Sequence, residues 1–299
     1  MLMPAFDELQ PASSQLRPLV IAHRGASAFA PENTLAAFSL AVALGADGVE
    51  MDVQMSAEGQ PVVIHDARVN RTTNGAGNVS RLTLDQLQRL DAGNWFERRL
   101  SRKPRARAMI ERMRAEIGFA AACYSGEPVP SLEDVLALLK PAGLEQIYVE
   151  LKPNRASKTA LVDSVLALVR KHRLQVSTTL LSFDHALVRR AKELDSEVRT
   201  AALFPPRARR LISTRSIIRS AESAGVDEVA LHCGLAKRRS IDALHERGLL
   251  VSVWTVNGKL AMRRLAACGA DSIMTNFPNR LRDVLASLSA EQSATGRRR

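Results

Sequence analysis

Short β-rich apolar runs alternate with segments of helical period along most of the chain, and this alternation limits the possible folds more than any other feature. Strands are predicted at about 18–23, 48–54, 146–152, 178–182, 199–203, 228–232, 249–254 and 271–275. Helices are predicted between them at 33–44, 131–139, 158–171, 184–194, 240–247 and 259–267. Gly45, Gly143, Gly225, Gly248 and Gly269 stand where a helix can end in a residue of positive φ. Eight strands with helical crossovers and no break in composition predict an α/β chain folded as a (β/α)8 TIM barrel, which suits a length of 299 residues.

One apolar run falls outside that count. Pro61 to His65 follows the second strand after only five residues, and a parallel crossover needs a dozen or more. An antiparallel hairpin partner turned by Glu58-Gly59 is therefore expected at the barrel mouth. The chain from Asp66 to Gln146 is too long for one connection, which predicts a small insertion after the second strand, at about 66–130. Thr83 to Leu90 would form one of its helices and the arginine-rich stretch another. The predicted organisation is an N-terminal extension at 1–17, a barrel domain at 18–285 and a basic disordered tail at 286–299.

Hydrophobic residues make up 46% of the chain, so it should fold as a globule, and no run of 18 apolar residues points to a membrane span. Residues 1–17 lack a basic region followed by an apolar one, so a cytoplasmic protein is expected. Cys123, Cys233 and Cys268 have no metal-type spacing and read as reduced, small core residues. The formal charge of +11 favours an anionic partner. Arg98, Arg99, Arg102, Lys103, Arg105, Arg107, Arg112 and Arg114 crowd one segment; Arg207, Arg209, Arg210, Arg215 and Arg219 another; Arg297, Arg298 and Arg299 a third. Solvated helix faces account for such runs. Nucleic-acid binding is disfavoured, because only 4% of residues are aromatic and none interleave with the basic runs as stacking platforms.

The chemistry concentrates at strand ends. Glu50 and Asp52 are two apart, so they share one face of their strand while Val49, Met51 and Val53 face the other way. The third strand repeats the pattern with Glu150 and Lys152. Three carboxylates aimed at one place repel one another unless they are paired, protonated or bound to a cation. Oxygen ligands favour Mg²⁺ or Ca²⁺, with Mn²⁺ also suited. A buried salt-bridge network with Arg24 and Lys152 is the alternative, but the placement at barrel strand ends favours a reactive site.

His23 closes the first strand and His65 the hairpin strand, so both can reach the mouth from different sides. A phosphodiester needs a base for the attacking oxygen and an acid for the departing alkoxide, and histidine serves either task. Arg24 and Lys152 would hold non-bridging oxygens. His172, His185 and His245 lie in basic helical segments and read as structural, whereas His232, near a strand end, is open to either role.

His23-Arg24-Gly25, Pro31-Glu32-Asn33-Thr34, Gly48-Val49-Glu50-Met51-Asp52, Val63-Ile64-His65-Asp66 and Arg71-Thr72-Thr73 together resemble the glycerophosphodiester phosphodiesterase family. Pro130-Ser131-Leu132-Glu133, Val149-Glu150-Leu151-Lys152, Ser182-Phe183-Asp184, Trp254-Thr255-Val256-Asn257 and Thr275-Asn276-Phe277-Pro278 continue the resemblance in the family's order, from about 18 to 283. It implies a barrel with a small insertion, divalent-cation dependence, and hydrolysis of glycerophosphodiesters to sn-glycerol 3-phosphate and an alcohol. It implies His23 and His65 as the acid/base pair, Glu50, Asp52 and Glu150 as metal ligands, and Arg24 and Lys152 at the phosphate. Whether the glycerol 2-hydroxyl attacks first, through a cyclic phosphate, is left open. Trp254 resembles an aromatic wall of the substrate pocket, a packed core position being the other reading.

Two departures from the family pattern stand out. An arginine-rich stretch intervenes at about 98–122, and Asn276 occupies a position where many members carry Asp, with loop orientation as its expected role. A lysophospholipase D with the basic insertion lying on anionic lipid is a second reading, but that insertion shows no strongly amphipathic apolar face. A nucleic-acid-binding protein on an idle barrel is a third, and the intact acid/base and ligand set argues against it.

Overall fold

The computed structural model describes residues 17–119, 123–154, 157–205 and 212–296. Eight parallel strands close into a barrel: β1 (Leu19–His23), β2 (Gly48–Met55), β4 (Gln146–Leu151), β5 (Thr178–Ser182), β6 (Arg199–Phe204), β7 (Glu228–His232), β8 (Leu250–Trp254) and β9 (Ser272–Thr275). Closure is made by β1, which pairs with β2 on one side and β9 on the other. The run after β2 forms β3 (Pro61–Val63), antiparallel to β2 through Val53↔Val63 and Met55↔Pro61. His65 lies two residues past the end of β3 and not within it.

Helices cover the barrel: α1 (Leu35–Ala43), α5 (Leu132–Leu139), α6 (Lys158–His172), α7 (His185–Leu194), α8 (Thr214–Ala224), α9 (Arg238–His245), α10 (Lys259–Ala267) and α11 (Pro278–Gly296). Val49, Met51 and Val53 point outward into the core shared with α1 and α5, beside Phe38, Leu132 and Leu136, while the opposite face of β2 lines the interior. Ile21, Tyr148, Leu181, Ala201, Leu203, Ala230 and Met274 fill the middle of the barrel. Below them Tyr148 donates its hydroxyl proton to the buried Glu228 carboxyl group at 3.0–3.1 Å, beside Ser272. The barrel is tight at its base: a Cβ on Gly48 would lie 2.2 Å from the Gln146 carbonyl oxygen, so only glycine fits.

Several expectations are corrected. The insertion's helix at 83–90 is shorter, α2 (Leu84–Gln88), and the arginine-rich stretch is two helices, α3 (Asn94–Ser101) and α4 (Pro104–Glu116). Pro104 makes the break, since it lacks an N–H to continue α3 but suits the first turn of α4. Arg114 is buried instead of solvated; it donates to the Phe29 carbonyl at 2.9 Å and to the Tyr124 hydroxyl, with its guanidinium 4.4 Å over that ring. This fastens the insertion to the loop that carries Arg24.

The disordered tail expected at 286–299 is helical as far as Gly296. Leu281, Val284 and Leu285 are buried, Leu288 packs beside them, and Glu291 pairs with Arg263 at 2.6 Å, so the α11 stripe continues past 285. Of the cysteines, Cys123 is exposed and not a core residue, whereas Cys233 and Cys268 are half-buried against the core. Residues 1–16, Arg207, Arg209, Arg210 and Arg297 to Arg299 lie outside the described residues.

Candidate active site

The site begins in a tight loop after β1. Gly25 has φ +74°, and a Cβ there would meet the Ala37 backbone at 2.6 Å, so glycine alone lets the loop turn back onto α1. Arg24 and Asn33, neither of them glycine, also adopt positive φ (57° and 60°) and face the barrel's acidic cluster. The Arg24 backbone N–H donates to Glu50 Oε2 at 3.0 Å, while its side chain meets Glu32 Oε1 at 2.8 Å and Asp52 Oδ2 at 3.1 Å. Asn33 Nδ2 donates to the same Asp52 Oδ2 at 2.8 Å.

Glu50, Asp52 and Glu150 arrive from β2 and β4, whose register pairs Asp52 with Glu150. All three are buried, and one oxygen from each lies within 4.8 Å of the others. Lys152 Nζ stands 2.8 Å from Glu150 and 3.2 Å from Asp52 Oδ1. Burial pushes the Asp52 carboxyl up, but Arg24 and Lys152 together hold it below the usual carboxylate range. Glu50 is pushed well above that range by burial, Asp52 and Glu150. Glu150 is raised to about 7 by burial and Asp52, against the pull of Lys152.

The donor set fits a hard divalent cation. It is all oxygen, carboxylate-rich and converging, and Asp52 Oδ1 is buried with no hydrogen bond, only the Lys152 charge beside it. Two of the three carboxylates are destabilised in their ionised form by the others, the imbalance that a bound cation corrects.

The histidines flank this cluster. His23 Nδ1 is 2.8 Å from Asn276 Oδ1; a carbonyl oxygen only accepts, so Nδ1 carries the proton and Nε2 is left as the basic nitrogen. Nε2 lies 3.9 Å from Glu50 Oε2 and 3.5 Å from Thr255 Oγ1. Burial and the Arg24 charge bring His23 down to about 4, so the ring is neutral at physiological pH. His65 Nδ1 meets Asp66 Oδ1 at 2.6 Å, which likewise leaves Nε2 free.

The sequence reading overlooked several supports. Gln54 Nε2 donates to the carbonyls of Ile64, His65 and Asp66 at 2.8–3.0 Å, so β2 carries two carboxylates and also fixes the loop bearing His65. Its inward parity with Glu50 and Asp52 was the available signal. Glu32 binds both Arg24 and Arg71, and Arg71 also holds Asp66 at 2.6 Å. Asn276 does more than orient a loop, since it grips His23. On the far rim Trp254 donates to the Ala230 carbonyl at 3.1 Å and meets Phe183 and His232 edge-to-face at 5.7 and 5.4 Å. It is half-buried at the end of β8 and packs on the interior cluster.

A closed parallel barrel with this charged cluster at the C-terminal ends of its strands defines a TIM-barrel enzyme. The sequence model of the glycerophosphoryl diester phosphodiesterase family matches residues 23–280. The chain belongs to that family. YhdW of Bacillus subtilis is 36% identical over 87% of this chain and 95% of its own length. The glycerophosphodiester phosphodiesterase of Caldanaerobacter subterraneus subsp. tengcongensis is 28% identical over 89% of this chain and 97% of its own. Among solved structures, an Oleispira antarctica phosphodiesterase in complex with the product sn-glycerol-3-phosphate superposes with a TM-score of 0.76, at 25% identity, covering 92% of this chain and 99% of that one.

Proposed function

We propose that the protein hydrolyses glycerophosphodiesters to sn-glycerol 3-phosphate and an alcohol, in a reaction that depends on a divalent cation and uses His23 and His65 as its acid/base pair. The observation that carries this reading is the meeting of three buried carboxylates with Arg24 and Lys152 between two histidines whose Nδ1 atoms are both engaged. The Oleispira complex with sn-glycerol-3-phosphate supports the product assignment.

Glu50, Asp52 and Glu150 would hold the cation, which supplies charge neutralisation at the phosphoryl oxygens. Arg24 and Lys152 bind the non-bridging oxygens and orient the phosphorus for in-line attack. One histidine takes a proton at Nε2 from the oxygen that bonds to phosphorus, that of water itself or of the glycerol 2-hydroxyl, whose cyclic phosphate water then opens. As the bond from phosphorus to the departing alcohol oxygen breaks, the other histidine, entering the step doubly protonated, delivers its Nε2 proton to that oxygen and is left neutral.

Release of glycerol 3-phosphate from glycerophosphocholine and glycerophosphoethanolamine, with and without chelator, tests the proposal. Excess EDTA should abolish turnover, and His23→Ala and His65→Ala should each lower kcat by roughly 10²–10⁴. Full activity in EDTA would remove the cation, and near-normal turnover by either variant would remove that histidine. Faster turnover of lysophosphatidylcholine than of glycerophosphocholine would move the assignment to lysophospholipase D.

A further inference from the structure

Between α4 and the segments that follow β1 and β9 lies an open cleft of about 210 Å³. Phe29, Met109, Met113 and Phe277 make its apolar lining, and the two phenylalanine rings stack edge-to-face at 5.6 Å. Lys259 and Arg280 supply cations at the same cleft. The Arg280 guanidinium is fixed 3.9 Å over the Phe277 ring, with Nη1 donating to the Asn257 carbonyl at 2.8 Å. One carboxylate, Asp283, shares the lining.

The cations extend onto α4. Arg105 and Arg112 are exposed about one turn to either side of Met109, on the same face of the helix. Among the described residues neither is in an ion pair, whereas Arg107 is paired with Glu111 at 2.8 Å. Residues 94–119 carry eight Lys or Arg against three Glu. Met109, between Arg105 and Arg112, is 42% exposed, and Leu260, which follows the cleft residue Lys259 in α10, is 85% exposed.

We propose that this surface docks the protein on an anionic phospholipid bilayer, with Met109 and Leu260 entering the interface and the surrounding cations meeting the lipid headgroups. Interfacial binding needs exposed apolar area together with basic charge, and the two coincide here. The sequence hides the apolar part because no single helix carries it; α4 supplies Met109 and α10 supplies Leu260. A nucleic acid would instead need rings free to stack, and Phe29 is buried while Phe277 is covered by Arg280. Among the described residues no helix is long and apolar enough to cross a membrane, so the docking is peripheral.

Co-sedimentation with vesicles tests the proposal without reference to turnover. The protein should bind vesicles of phosphatidylcholine mixed with phosphatidylglycerol at low salt, bind pure phosphatidylcholine at least tenfold more weakly, and dissociate at high salt. Arg105→Glu with Arg112→Glu should lower partitioning into the mixed vesicles by on the order of tenfold or more. Met109→Asp with Leu260→Asp should also lower it, and both pairs should keep the wild-type circular dichroism and thermal midpoint. Equal binding to neutral vesicles, indifference to the charge reversals, or retention by RNA or duplex DNA with none by anionic vesicles would each overturn it.

Discussion

Replacing Glu228 with Gln should stabilise the protein at alkaline pH and leave its stability unchanged in acid. The carboxyl is 2% exposed, and burial pushes it from the ordinary 4.5 to about 7. The folded state therefore keeps a proton that the unfolded chain releases between those values. Stability falls as pH rises from 4.5 through about 7 and is level above that, while below 4.5 both states are protonated and nothing is lost. The gap corresponds to about 3 kcal/mol. Spread over the unfolding entropy of 299 residues, that is about 5 °C in thermal midpoint. Gln has nearly the same shape, and its side-chain carbonyl still accepts from the Tyr148 hydroxyl. Scanning calorimetry of both proteins across this range reads the difference directly, and Glu50 and Glu150, present in each, cancel. A variant whose midpoint tracks that of the wild type at every pH, or falls below it at about pH 8, would show that Glu228 folds ionised and paired.

Gly48→Ala should destabilise the barrel by at least about 1–3 kcal/mol, because the new methyl meets the Gln146 carbonyl and Ile21 Cδ1; a urea midpoint within error of wild type would contradict the packing. Gln54→Ala leaves three carbonyls of the His65 loop without their donor and should lower kcat by roughly tenfold or more while the cluster still binds cations, which calorimetric titration with Mg²⁺ or Ca²⁺ can check. Asn276→Ala frees the His23 ring and should lower kcat by roughly 10–100-fold, with the NMR signature of the Nδ1-protonated tautomer lost. A divalent cation at about 100 times its dissociation constant should raise the midpoint by about 4 °C in the wild type and much less in Glu150→Gln.

What could be read from the sequence follows from which structures have a local period. The eight barrel strands were legible because alternation of period two and helical spacing are properties of neighbours in the chain. Glu50, Asp52, Glu150 and Lys152 were legible for the same reason, since parity assigns each to a face. Contacts between distant segments were not: nothing local ties Asn276 to His23, or Gln54 to three carbonyls beyond a hairpin. Helix α8 escaped because Ile217, Ala221 and Ala224 make a narrow stripe among arginines and serines, although its glycine stop at Gly225 was visible. The tail past 285 was misjudged because its basic end outweighed Leu288, whose partners lie on other elements.

The seam of the barrel joins residues made at opposite ends of synthesis. His23 is made early, on β1, yet the amide that selects its tautomer follows β9, 253 residues later. At ribosomal rates of roughly 5–20 residues per second, the histidine waits on the order of 10–50 s for that partner. During that interval β1 also presents an open edge to other chains. A truncated or stalled product that ends before Asn276 can thus hold every carboxylate of the cluster while the His23 ring lacks the partner that sets its tautomer.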